Sequence, residues 1–269
     1  MDKLEKLRND LDLCDEILIN TLRMRSQMIQ EFISCKQELG IAAVQSEEEE
    51  RKKRNFNKKL ADYEYRDAIM GVYDSILYYS KRIQSHELFG FNIFLIGFMG
   101  VGKSTVAKAL KQVFAMDVIE MDQIIAEQNG MSISEIFDLR GEQYFRDEET
   151  NLLKSCRGKH DQIISCGGGV AMRQVNVDEM RKSGKIVLLT ADPATILDRV
   201  QDSHDRPLLE NNKTVEHITD LMEKRNPAYM AAADIIVNTD GKDVYRICEE
   251  IISKVKACKD AESAGQAQE

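Results

Sequence analysis

Glycine and proline are almost missing from the first third of this 269-residue chain. Residues 1–89 hold only Gly40 and Gly71 and no proline, whereas all three prolines and the other 13 glycines come later. Without these breakers the first third is expected to be all-helical, and the rest to alternate strand and helix. The chain also lacks any C-x-x-C pair. Its six cysteines (14, 35, 156, 166, 248 and 258) are scattered without paired spacing, and they read as reduced thiols of a cytoplasmic protein. No apolar run approaches the roughly 18 residues of a membrane span. The opening MDKLEKLRND has no apolar core of a signal peptide, so secretion and membrane insertion are not expected. A net charge of −9 argues against a nucleic-acid surface, although local clusters of Arg and Lys can still meet small anions. At 43% hydrophobic residues there is ample material for a core, and the length suggests one large domain or two smaller ones.

What is present centres on Phe91 to Thr105, FNIFLIGFMGVGKST, which fits the phosphate-loop pattern G-x-x-x-x-G-K-[ST] at Gly97, Gly102, Lys103 and Ser104. Residues 92–96 read as a buried strand. Residues 103–114 read as a helix with an apolar stripe of Val106, Leu110, Val113 and Phe114. Strand, glycine loop and helix N-terminus together make a nest of backbone N–H groups for phosphate. The residues expected to bind a nucleoside triphosphate, read below as ATP, are Gly97, Gly100, Gly102, Lys103, Ser104 and Thr105. Lys103 would reach the outer phosphates, and the Ser104 hydroxyl would hold Mg2+. The competing explanation is a chance glycine turn, which the flanking strand and helix disfavour.

Downstream, a short strand at 118–119 delivers Glu120 and Asp122 to its C-terminal end, where ligands sit in open α/β sheets. Asp122 suits acceptance of a substrate hydroxyl proton, or alternatively an N-cap role for the next helix. Glu120 suits support of the magnesium shell. Arg146 lies in GEQYFRDEE, on a helical stretch where a surface salt bridge is the plainer expectation. DQIISCGGGV at 161–170 is a second apolar strand running into Gly167, Gly168 and Gly169, which permit close approach of backbone to ligand. KIVLLT at 185–190 is a third strand, and a helix with Arg199 follows. SHDRPLLE around Arg206 reads as a lid that brings an arginine onto transferring phosphates. A helix from about 214 carries Arg225. DIIVN at 234–238 is the last strand, a final helix covers about 243–258, and the polar tail 259–269 is expected to be disordered.

In the first third, Leu4, Leu7, Leu11, Cys14, Leu18, Thr21, Arg25, Met28, Phe32, Cys35 and Leu39 follow a 3-4-3-4 spacing. That seam spans about 50 Å of helix. Two later helices, at 47–60 and 64–86, are too short to cover it, so a homodimer through this segment is expected. Arg25 occupies a core position of the seam, where a guanidinium needs an anionic partner. Lys36 follows 11 residues later and returns to within about 20° of the same direction. Arg8 lies roughly 100° away, which suits a contribution from a partner subunit. Ser80 and Gln84 share one helix face at i, i+4, and Glu49 could accept from a hydroxyl. The plainer alternative is a dimerisation bundle with solvated charges.

Residues 1–89 resemble the all-helical chorismate mutases, which are intertwined dimers. The resemblance implies a chorismate site of Arg8 (from the other subunit), Arg25, Lys36, Glu49, Ser80 and Gln84, with Arg25, Lys36 and Gln84 catalytic. The chain departs from that pattern at Glu48, where the family usually carries arginine; Arg51 lies about one turn later. Residues 90–258 resemble shikimate kinase. The motifs arrive in that family's order: the phosphate loop, M-D at 121–122, F-R at 145–146, G-G-G at 167–169, R-P-L-L at 206–209 and R-N-P-x-Y at 225–229. This implies an α/β P-loop kinase with a parallel sheet flanked by helices. It further implies shikimate bound by Asp122, Arg146, Gly167, Gly168, Gly169 and Arg225, catalysis by Asp122, Lys103 and Arg206, and Arg199 against the adenine. The family commonly has Asp at the position of Glu120. The expected whole is a bifunctional enzyme of aromatic amino-acid biosynthesis using ATP and Mg2+. Two other expectations compete with it: a helical part that only dimerises or senses a ligand, and a kinase for another small polyol or acid. The absence of an N-K-x-D signature favours ATP over GTP.

Overall fold

The computed structural model describes residues 2–38, 46–201 and 214–266. The chain divides into two compact units, Met1–Glu87 and Leu88–Glu269. The first consists of α1 (Lys3–Glu38), α2 (Ser46–Lys59) and α3 (Arg66–Leu88). With neither glycine nor proline inside it, α1 runs unbroken for 36 residues. Contacts that fasten α2 to α3 include Phe56 stacked on Tyr73 at 4.4 Å, Lys53 paired with Asp74 at 2.8 Å, and Arg66 Nε donating to Asn57 Oδ1 at 2.7 Å. Arg25 ties α1 to α3 by donating to Ser80 Oγ, and Ile29, Ile33 and Leu77 are buried. Among the described residues, most of the 3-4 seam is left exposed. Every residue from Asp2 to Thr21 is exposed, and so are Met28 and Phe32 further along.

The second unit runs β1 (Asn92–Ile96), α4 (Lys103–Phe114), β2 (Asp117–Glu120), α5 (Met121–Asn129), α6 (Ile133–Ser155), β3 (Gln162–Ser165), a 3-10 turn at Val170–Met172, α7 (Gln174–Ser183), β4 (Gly184–Thr190), α8 (Pro193–Val200), α9 (Val215–Ala232), β5 (Ile235–Asn238) and α10 (Val244–Gln266). Its five strands form one sheet in the order β2-β3-β1-β4-β5, with every pair parallel. Strands of this kind are covered on both faces and read as continuous apolar runs. β1 is accordingly buried at every position. Its one polar residue, Asn92, is satisfied: Nδ2 donates to Lys159 O at 2.9 Å and Oδ1 accepts from Gln162 N at 3.1 Å.

The register sets Ile96 beside Leu188, Leu95 beside Ser165, and Glu120 beside Ser165. The phosphate loop, Glu120 and the three glycines therefore leave the sheet at one edge. β1 lies where the strand order reverses, and the crevice beyond such a point is where ligands bind in open α/β sheets.

Two expectations need correction. The tail from 259 onwards is not irregular as far as Gln266, because α10 continues through it. Ala257, Ala261 and Ala264 lose no side-chain entropy in a helix, which favours its continuation. Nor does Asp122 cap a helix. Glu120 holds the N-cap position of α5, and Asp122 falls in its first turn.

Candidate active site

The nucleotide side is built by the loop between β1 and α4. Gly97 has φ +137°, and a Cβ there would lie 2.3 Å from Leu189 O, so only glycine lets the loop turn over β4. Lys103 curls back over the loop, donating to Gly97 O at 2.9 Å and Phe98 O at 3.1 Å. Ser104 Oγ donates to Glu120 Oε2 at 2.9 Å and lies 3.5 Å from Ser165 Oγ. Arg199 reaches from α8 to Thr239 Oγ1 at 3.0 Å and approaches the carbonyls of Gly100 and Val101. Lys103, Ser104, Glu120, Ser165 and Arg199 line a cleft of about 540 Å³ together with Thr105 and Asp122.

Glu120 Oε1 is buried and has no hydrogen-bond partner among the described residues. An orphaned carboxylate oxygen beside a serine hydroxyl is a hard-oxygen donor set of the type Mg2+ takes, since that ion needs only one or two protein ligands besides phosphate and water. No cluster of three or more His, Cys, Asp or Glu suited to a metal occurs among the described residues, so the all-protein cage of a structural metal is not what this site offers.

A second cluster gathers around Gly167–Gly169, joined to the cleft through Asp122, which lies beside Gly167. α6 opens on a capping box in which Ser132 Oγ accepts from Glu135 N and Glu135 Oε2 accepts from Ser132 N. The helix then breaks at Gly141 (φ +82°) and restarts, which directs Arg146 and Glu149 at the glycine run. A Cβ on Gly169 would lie 2.3 Å from Arg146 Nη1, so the absence of a side chain there makes room for the guanidinium. Arg146 pairs with Glu142 and with Glu149, both at 2.9 Å. These two carboxylates hold its pKa above the ordinary value although burial works against the charge. The Glu149 side chain is 0% exposed. Burial pushes its carboxyl up to about 7, opposed by Arg146 and assisted by the nearby charge of Asp122. From α9, the Tyr229 hydroxyl donates to Gly168 O at 2.5 Å. Arg225, one turn earlier, stands 5.8 Å over the Phe98 ring and near Gly168.

The structure thus gathers Asp122, Arg146, Gly167, Gly168, Gly169 and Arg225 beside the loop residues Gly97 to Thr105, Glu120 and Arg199. Arg206 lies outside the described residues. The surface salt bridge weighed for Arg146 exists, to Glu142, but the same guanidinium also binds the enclosed Glu149. Glu149, Ser165 and Tyr229 were not singled out from sequence. Tyr229 stood within R-N-P-x-Y, and Glu149 lies i+3 from Arg146, the one spacing that could have pointed to it.

In the helical unit, Arg25 and Ser80 meet directly, and Gln84 lies half-buried one turn beyond Ser80 on α3. Arg8 is exposed and, 17 residues before Arg25, stands about 25 Å away along α1, so one chain does not unite the two. Lys36 lies on α1 and Glu49 on α2, but their side chains are outside the described residues.

A parallel sheet with a G-x-x-x-x-G-K-S loop on its central strand, an acid pair at the neighbouring edge and arginines across the cleft defines a P-loop phosphotransferase of small molecules. Comparison with known proteins narrows this: the family model for shikimate kinase matches residues 99–256. The chain belongs to the shikimate kinase family. It is 39% identical over 165 residues to the shikimate kinase of Sulfurihydrogenibium sp. (strain YO3AOP1), a match that covers 61% of this chain and 98% of the relative. It is 40% identical over 167 residues to that of Geobacter sulfurreducens, covering 62% and 92%. Among solved structures, shikimate kinase from Acinetobacter baumannii in complex with shikimate superposes with a TM-score of 0.59 at 27% identity, covering 63% of this chain and 94% of that one. The enzyme from Aquifex aeolicus gives 0.55 at 33% identity, covering 62% and 98%. These matches cover the second unit.

Proposed function

We propose that the second unit transfers the γ-phosphoryl group of ATP to the 3-hydroxyl of shikimate, and that the helical unit, as a homodimer, rearranges chorismate to prephenate. Both reactions belong to aromatic amino-acid biosynthesis. The observation that carries the kinase reading is the placement of Asp122, Arg146 and Arg225 around Gly167–Gly169, opposite the phosphate loop. A hydroxylated acid with its carboxylate on the two arginines puts a hydroxyl at Asp122, facing the nucleotide. Asp122 orients that hydroxyl and takes its proton as the new O–P bond forms. Lys103 leaves the loop carbonyls for the outer phosphates, and Arg199 lies against the adenine. Ser104 and Glu120 are the residues that would hold Mg2+, which neutralises the developing phosphate charge when bound. Arg206 is assigned to the transferred phosphate from the sequence pattern alone. Positioning and charge neutralisation supply most of the rate, as expected for phosphoryl transfer.

The mutase reading is supported by Arg25 standing in the seam of α1 with Ser80 as its neighbour, and by the uncovered apolar face that a second chain would bury. The reaction needs no nucleophile or cofactor. Arg8 and Arg25 suit the two carboxylates, Lys36 and Gln84 the breaking ether oxygen, Ser80 a neutral contact, and Glu49 the ring hydroxyl. Glu48, standing where the resembled family usually has arginine, favours a second reading in which the helical unit dimerises or senses a ligand without turnover. Paired assays on the purified full-length chain, with shikimate plus ATP and with chorismate, decide the matter. Phosphorylation of shikimate together with loss of chorismate is expected. Chorismate or prephenate binding without turnover would leave the helical unit as a sensor, and preference for an uncharged acceptor would overturn the kinase assignment.

A further inference from the structure

Glu149 has no task in the phosphoryl transfer described above, yet it is the most enclosed acid on the acceptor side. Its Oε2 accepts from Arg146 Nη1 at 2.9 Å. Its Oε1 is buried and without a hydrogen-bond partner among the described residues. That oxygen points at Gly167, where a Cβ would lie 2.8 Å from Glu149 Oε1 and 2.7 Å from Asp122 Oδ1. The orphaned oxygen and the acid that receives the hydroxyl proton therefore converge on one glycine. Arg146 already serves Glu142 as well, through Nε and Nη2. A substrate carboxylate docking on this guanidinium would be the third anion it serves.

The charged and titratable groups facing Glu149 are Asp122 from α5, Arg146 from its own helix, Arg173 at the start of α7, Tyr229 with Arg225 from α9, and the buried Cys166 thiol, behind which lies Lys103 of α4. Arrival of an anion adds a like charge to this group and takes up part of the charge with which Arg146 compensates Glu149. Both changes favour the neutral carboxylic acid.

Resting on the assignment of Arg146 to the substrate carboxylate, we infer that Glu149 takes up one proton from solvent, on Oε1, as the acceptor binds. The O–H then gives the orphaned oxygen a donor role toward Asp122, Oε2 continues to accept from Arg146, and one negative charge leaves the pocket as the substrate's enters. Glu149 is a positioning residue in this scheme, because it acts through Arg146 and Asp122. Its carboxyl, raised to about 7 before substrate arrives, is already half-protonated near neutrality, and a further anion raises it more. Uptake is therefore largest just above neutral pH, where the free group is ionised and the bound one is not, and it vanishes at lower pH, where both are neutral.

The test is calorimetric titration of shikimate into the full-length chain at about pH 7.5, in phosphate and in Tris, whose heats of ionisation differ. The expected difference in heat corresponds to about half to one proton taken up per site. In the same range the wild-type KM for shikimate should rise with pH, by at most about tenfold per unit. Glu149→Gln, which imitates the neutral acid, should keep binding, lose the buffer dependence and show a flat KM. Buffer-independent heats in the wild type would overturn the inference, and so would equal uptake in Glu149→Gln. A wild-type chain that neither binds nor phosphorylates shikimate would remove the Arg146 assignment, and the inference with it; binding without uptake would remove the inference alone.

Discussion

The two units solve the problem of burying apolar surface in different ways. In the kinase unit, β1 is enclosed at every position between β3 and β4, and the sheet is complete within one chain. In the helical unit, residues 2–21 of α1 are all exposed, and Leu11 is 65% exposed. Contiguous apolar surface of this extent marks an interaction face, and a 36-residue helix cannot cover it with the short helices α2 and α3. The candidate kinase residues described above come from one chain, whereas Arg8 and Arg25 stand about 25 Å apart along the same helix, so the proposed chorismate site would need a second copy to bring them together. Substitutions should therefore separate the units cleanly.

The largest separation is expected from Asp122→Asn, which removes the proposed proton acceptor and should lower kcat for shikimate phosphorylation by about 10²–10⁴-fold. The KM for ATP and the turnover of chorismate should be unchanged; intact phosphorylation would take Asp122 out of the chemistry. Arg25→Ala should do the converse. Loss of one charged donor to a reacting dianion corresponds to roughly 10²–10³-fold in chorismate turnover, with phosphorylation retained. An equal fall in both activities in a folded protein would show that the units are coupled. A smaller effect, set by protein concentration, is expected from Leu11→Glu combined with Leu18→Glu. Light scattering should show monomers, and chorismate turnover should recover in part as concentration rises, while kinase activity per chain stays constant. A variant that remained dimeric would place the interface elsewhere.

The difference between the units also governs how much the sequence could disclose. Residues 92–96 and 103–114 were legible as strand and helix because an apolar run, a glycine loop and a helical stripe follow one another without ambiguity. The heptad seam was equally plain, but among the described residues α2 and α3 leave most of it exposed. Glu149 stood in the run DEE, where Asp147, Glu148 and Glu149 are alike by type. Only the break at Gly141 and the helical register that follows bury the third of them. Tyr229 gains its role from a carbonyl 61 residues away, a pairing that no local pattern carries. The tail's polarity points to an irregular segment, whereas the helix propensity of its alanines favours the continuation of α10 to Gln266.

The smallest expected effect concerns stability, and it too should stay within one unit. On α7, the Glu179 carboxylate is held down to about 2 by hydrogen bonds from Arg157 and then Lys182; the Arg157 contacts are both 2.6 Å. A carboxylate whose folded pKa lies below its ordinary 4.5 contributes stability that is fully present above that value and is lost as pH falls through the folded one. Arg157→Ala should return Glu179 towards its ordinary range. The thermal transition of the kinase unit should then drop by a few degrees at neutral pH, and the difference from wild type should shrink as pH falls towards 2. The transition of the helical unit should not respond, because Arg157 and Glu179 both lie in the second unit. A difference that persisted undiminished in acid would assign the loss to packing of the Arg157 stem and not to its charge.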